Sequence, residues 1–141
     1  MPIQFVLLPL FVQVALTFVL LFWMGFSRLG SVKRKETRIA DIALGQPNWP
    51  PKVQQIANCY ANRFQLPVLF YVLVTLAIIT RSADYLFVVL SWVFVLTRFL
   101  HAFIHTGSNF VRHRFNAFLL GAVILLVMWI IFAVRNLLAL A

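Results

Sequence analysis

The sequence predicts an all-α integral membrane protein, a bundle of four transmembrane helices, and three observations carry that expectation. Four apolar runs follow one another along the chain, separated by polar links. Hydrophobic residues make up 63% of the 141-residue chain and charged residues only 11%, with a mean hydropathy of +0.96, so lipid is the expected solvent for most of it. Twelve Lys and Arg stand against three Asp and Glu, for a net charge of +9. Most of that charge sits in the first and third links, at one face of a bilayer.

The chain is read as one membrane domain over residues 1–141, with spans near 3–26, 53–80, 84–106 and 110–139. The first run, Ile3 to Phe26, is interrupted mainly by Gln4, Pro9 and Gln13 and is long enough to cross a hydrocarbon core of roughly 30 Å. A cleaved signal peptide is not expected, because the run has no basic residue before it and no A-x-A exit, while Arg28, Lys33, Arg34 and Lys35 follow it closely. The loop at 27–52 adds Arg38 and Lys52 and closes with Gly45-Gln46-Pro47-Asn48-Trp49-Pro50-Pro51, a stiff end because proline fixes φ and disfavours helix just before it. The second run is centred on Leu66 to Ile79, the third on Tyr85 to Ile104 and the fourth on Phe115 to Leu140. Between the second and third lies only Arg81 to Asp84, a tight turn in which Ser82 is the expected N-cap. The third link, Thr106 to Arg114, contributes Arg112 and Arg114 to the same side as the first loop.

Translocating Lys and Arg in short loops is disfavoured, so the first and third links are expected in the cytoplasm and both termini outside. A multi-pass protein of the bacterial inner membrane, with its site facing the cytoplasm, fits that orientation. Topology, contact with anionic lipid and steering of an anionic ligand are the uses open to the basic loop, and nucleic acid is not an expected partner. Arg28, at the foot of the first helix, is its member best placed to reach a ligand.

Two groups of polar residues exceed what topology needs. Gln55, Asn58, Asn62 and Gln65 recur at spacings of three, four and three, which puts them on one helical face as ligand contacts or as interhelical hydrogen-bond glue. Arg63 points away from that face and is expected to snorkel toward the interface. Arg98, His101 and His105 form a second stripe on the third helix. Asn109 and Arg112 would extend it if the helix continued, but Gly107-Ser108 can end it. Arg98, Arg112, His113 and Arg114 then gather cationic donors near the mouth of the bundle, a site suited to an anion.

Several chemistries lack material. The only acids are Glu36, Asp41 and Asp84, which argues against carboxylate pairs, carboxylate metal cages and the intramembrane acid of a proton-coupled exporter. Axial haem ligands normally come from opposing helices, whereas His101 and His105 share one helix and His113 lies at the mouth. Cys59 is the single cysteine. It cannot form an intrachain disulfide and, without an adjacent base, reads as an inert small residue. The tyrosines and tryptophans read as packing and interfacial-belt residues.

Four spans in this length, a basic loop after the first, and R-x-x-H-x-x-x-H leading to R-H-R resemble the membrane-associated proteins in eicosanoid and glutathione metabolism, the MAPEG family. The stripe Arg98, His101, His105 is similar to R-x-x-H-x-x-x-aromatic of the prostaglandin E synthase branch and to R-x-x-Y-x-x-x-Y of leukotriene C synthase, with histidine at the last position. The segment A-N-R-F-Q-L-P-V-L-F-Y, residues 61–71, resembles the helix-two N-x-x-E motif followed by proline. Here Asn62 takes the place of the Asn, Gln65 that of the Glu and Asn58 that of a basic residue one turn earlier, with Pro67 closer to Asn62 than in those enzymes.

The resemblance implies a homotrimer with sites between subunits and glutathione as cofactor. It would be held by Arg28, Asn58, Asn62, Gln65, Arg98, His101 and His105, with a catalytic arginine that stabilises its thiolate. Arg112 is the first choice for that arginine and Arg114 the second. The implied activity is thiol transfer or peroxide reduction on a lipophilic substrate; the alternative is a non-catalytic protein of this fold that binds lipid or a membrane partner.

Overall fold

The computed structural model describes residues 2–45, 48–63 and 65–139. Gln46 and Pro47 of the proline-rich loop end, Phe64 of the helix-two segment and Leu140 at the end of the fourth run lie outside the described residues.

Among the described residues five α-helices follow in chain order: α1 (Ile3–Lys33), α2 (Pro51–Asn62), α3 (Leu66–Ile79), α4 (Tyr85–Thr106) and α5 (Val111–Ala139). The four segments Ile3–Lys33, Pro51–Ile79, Tyr85–Thr106 and Val111–Leu138 are long and apolar enough to cross a membrane. At 1.5 Å per residue α1 spans about 46 Å, so it runs on past Phe26 through the start of the basic loop. Its end is closed by Lys35 in the left-handed region (φ 60°), with the Glu36 N–H donating to the Ser31 carbonyl at 3.0 Å. A single 3-10 turn, Ile39–Asp41, interrupts the rest of that loop.

The helix expected over 53–80 is divided. Asn62 ends α2 and Leu66 begins α3, with Pro67 in the first turn of the new helix. A proline has no N–H, and its ring collides with the carbonyl four residues back, which favours a break here, although α1 carries Pro9 within an unbroken helix. Pro51 opens α2 in the same way, in the first turn where the missing N–H would have had no partner within the helix.

The N-cap of α4 is Asp84 rather than Ser82. Its carboxylate accepts the Phe87 N–H at 2.9 Å, and a negative charge there also complements the helix dipole. Ser82 instead bonds Thr80 at 2.6 Å and the Asn136 amide of α5 at 3.0 Å. At the other end α4 stops at Gly107, where a Cβ would meet the Phe103 carbonyl oxygen at 2.8 Å, and Asn109 is left-handed (φ 51°). The stripe of α4 therefore ends before Asn109 and Arg112.

In the bundle α4 packs against α1, α2 and α5, while α3 packs against α1 and α5. One apolar core gathers Phe70, Leu73, Val74, Phe94, Leu125 and Met128. A smaller cluster joins Leu16, Leu20, Cys59 and Ala102 near the α4–α5 end. Large apolar side chains such as Phe18, Phe22, Phe103, Leu126 and Ile130 point outward. That is stable only where the surrounding solvent is itself apolar.

Candidate functional site

The last carbonyls of α4 have no partner within their own helix, and α2 supplies them. The Lys52 ammonium donates to the Thr106 carbonyl, and the Gln55 amide donates to His105 at 2.6 Å and to Gly107 at 3.0 Å. A cation at this end also complements the helix dipole. With that end tied, α2 and α4 run antiparallel, and each turn up α2 meets a turn back down α4. Cys59 Sγ lies 4.0 Å from the Ala102 carbonyl, and one turn further Asn62 and Arg63 meet Arg98 and His101.

That meeting is the most polar part of the bundle interior. Arg98 is 0% exposed and Arg63 only 1%. Arg63 donates from Nη1 to the Arg98 carbonyl at 3.3 Å, and from Nη2 to Asn62 Oδ1 at 3.1 Å and His101 Nδ1 at 3.2 Å. Arg98 Nη2 donates to the same Asn62 oxygen and lies 3.4 Å from the same His101 nitrogen. A guanidinium has no acceptor, so Nδ1 of His101 can only accept, which puts the ring proton on Nε2. On the α5 side the Arg98 guanidinium carbon stands 5.6 Å from the centre of the Phe118 ring. Gly121 lets α5 approach, since a Cβ there would sit 2.9 Å from Thr97 Oγ1 and 3.7 Å from Arg98 Nη1. Arg98 Nε and Nη1, Arg63 Nε and His105 Nδ1 are buried and find no partner among the described residues.

Beside this network lies a cavity of about 480 Å³, lined by Asn58, Ala61, Asn62, Gln65, His101, His105, Val111, Arg114, Phe115 and Phe118. Asn58, Gln65, Val111 and Phe115 are exposed at its mouth, and the histidines are buried at its back. Arg114 is half-buried there, with Nη1 held by Asn109 Oδ1 at 2.7 Å. The structure thus brings Asn58, Asn62, Gln65, Arg98, His101, His105 and Arg114 to one place.

Two of the expected residues are elsewhere. Arg112 is exposed and faces a different concavity beside Ser108, Asn109 and Phe110. The two positions separating it from Arg114 turn a helix by about 200°, so only one of them can face the cavity. Arg28 stacks on Trp49 at 4.9 Å and does not line the cavity. Arg63 is the opposite case, expected at the interface and found fully buried. Its depth was the missed signal: it lies about 18 Å along the helix from Pro51, too far in for an easy return to the interface.

A model of the MAPEG family matches residues 6–134. The chain belongs to the MAPEG family. The match reaches from α1 to α5, so the cationic network and the cavity both fall within the MAPEG region, in an integral multi-pass membrane protein with four candidate spans. No curated protein and no solved structure matches the chain. MAPEG proteins often use glutathione.

Proposed function

We propose that this MAPEG protein binds glutathione, or a related anionic thiol, in the cavity between α2, α4 and α5 and transfers it to a lipophilic electrophile or uses it to reduce a lipophilic peroxide. One observation carries this proposal. Arg63 and Arg98 are fully buried side by side, and among the described residues no acidic side chain lines the cavity next to them. Two guanidiniums that share one acceptor in a low-dielectric interior repel each other, and an anion is the ligand that relieves them.

The chemistry asks little more of the protein. A free thiol has a pKa of about 8.5, and positive charge in a partly desolvated site favours the thiolate, the attacking species, without a general base. Arg114, tethered by Asn109 yet facing the cavity, is the group we assign to the thiolate. Arg98, Arg63 and the Nε2–H of His101 supply the field and the donors behind it, and Asn62 orients both guanidiniums. In transfer the thiolate sulfur bonds to the electrophilic carbon as that carbon's bond to its leaving group or epoxide oxygen breaks, and the released group takes up a proton from water. In peroxide reduction the thiolate takes the terminal oxygen as the O–O bond breaks, the alkoxide is protonated, and a second thiol converts the sulfenic acid to disulfide and water. Phe115 and Phe118 give the cavity an apolar wall along which a lipid-borne substrate can enter from the bilayer. The proposal extends to a homotrimer with cavities near subunit boundaries, and to cytoplasmic placement of the α4–α5 end and the basic loop.

Isothermal titration of the detergent-solubilised protein with glutathione tests it. Saturable heat that Arg114→Ala weakens is expected; no heat and no thermal stabilisation with any cellular thiol would overturn it. The uncharged Asn58 and Gln65 favour a second reading, a non-catalytic protein of this fold that holds lipid or a membrane partner. Thiol-transferase turnover excludes that reading, and a lipid retained through purification with no turnover favours it.

A further inference from the structure

Resting on the thiol proposal, we infer that the cavity selects an anionic peptide thiol without a free ammonium group, so that its preferred ligand is an amine-blocked or amine-free analogue of glutathione rather than glutathione itself. The inference comes from the inventory of acceptors. An ammonium carries three donors and no acceptor, and buried away from water it needs a carboxylate or free acceptors around it.

The lining offers no carboxylate, and among its described side chains only His105 Nδ1 and the second lone pairs of Asn58 Oδ1 and Gln65 Oε1 are left to accept, all of them uncharged. Asn62 Oδ1 already accepts from two guanidiniums. Gln65 Oε1 accepts the Asn62 amide at 2.7 Å, and Asn58 Oδ1 accepts the Gln54 amide at 2.7 Å. His101 Nδ1 faces two arginines. Charge, by contrast, is of one sign: Arg114 lines the cavity, and Arg63 and Arg98 lie buried behind it, bonded to its lining residues Asn62 and His101.

The chain has only three acids, and none of them lines the cavity. Glu36 is paired with Arg34 at 3.0 Å, Asp41 with Arg38 at 3.7 Å and Asp84 with Arg135 at 2.5 Å. A second copy of the chain packed against the cavity would bring the same three acids with the same arginines beside them. Carboxylates of a ligand therefore find partners, while its ammonium finds repulsion.

The experiment compares glutathione with glutaryl-cysteinyl-glycine, which keeps both carboxylates and the thiol and lacks only the α-amino group, by titration calorimetry of the full chain in detergent. The amine-free peptide is expected to bind about tenfold tighter, the usual scale for one unsatisfied polar group. Gln65→Glu, at an exposed position of the mouth, is expected to reverse the order by giving the ammonium a carboxylate. Glutathione binding more tightly than the amine-free peptide to the unsubstituted protein overturns this inference while leaving the thiol proposal intact. Binding of neither peptide overturns the thiol proposal, and this inference falls with it.

Discussion

The two ends of the bundle treat charge in opposite ways. Where α3 turns into α4, Asp84 meets Arg135 of α5 at 2.5 Å, accepts the Phe87 N–H and has Ser82 and Asn136 bonded next to it. Burial of the Asp84 carboxyl works against its ionisation, but the Phe87 N–H and the Arg135 guanidinium outweigh it and hold the carboxyl below its ordinary range. Where α2 crosses α4, two arginines are buried with one amide oxygen, one histidine nitrogen and one carbonyl as their only hydrogen-bond partners among the described residues. The first arrangement holds three helices together. The second leaves two cations without a carboxylate, a costly arrangement that the proposed anionic ligand would offset.

Replacing Arg98 should break the contrast most sharply. Arg98→Met keeps the volume and removes one of two unneutralised cations, so the ligand-free protein is expected to be unchanged or more stable by about 1 kcal/mol. Glutathione binding in the same variant should weaken by about 30-fold or more through loss of charged hydrogen bonds. Cys59, fully buried, reports unfolding through a thiol-reactive dye, and a clear drop in the melting temperature of the empty variant would show that Arg98 serves the fold.

Next in size is the choice between the two arginines at the head of α5. Arg114→Ala should weaken glutathione by about tenfold, and Arg112→Ala should leave it unchanged, as titration calorimetry of both would show. Equal losses would place the ligand outside the cavity.

Gln55→Ala leaves the His105 and Gly107 carbonyls of α4 without their donor. A loss of about 1 kcal/mol is expected, read as a lower melting temperature together with looser thiol binding because α2 carries Asn62. The smallest effect belongs to the α3–α4 end. Asp84 is partly exposed and solvent screens its pair, so Asp84→Asn should cost about 0.5 kcal/mol. Because folding lowers the Asp84 pKa, its contribution is fully present above the ordinary carboxylate value of about 3.9 and is lost as pH falls below it. Melting curves of the unsubstituted protein and the Asp84→Asn variant should therefore differ at neutral pH and converge in acid.

Much of the site could be read from spacing within one helix. Arg98, His101 and His105 share a face because i, i+3 and i+7 do so in any α-helix, and the structure buries all three. Asn58 and Asn62 reach the cavity for the same reason. Arg63 still continues the α2 turn and its burial follows from its depth, whereas helical phase fails for Arg112, because Gly107 ends α4 ahead of Arg112 and Arg114. Across such a break, counting at about 100° per residue no longer says which way a side chain points.

What the amino-acid order determines alone is whatever depends on composition and local periodicity: four apolar helices, basic links, and stripes of polar groups too costly to face lipid. Which stripe meets which was decided by tertiary contacts, above all by Lys52 and Gln55 closing the end of α4 and so setting the antiparallel register. That register buries Arg63 against Arg98, and the turn at Gly107 aims Arg114 rather than Arg112 into the cavity. Such pairings depend on groups some fifty residues apart, whose proximity exists only once the helices have packed.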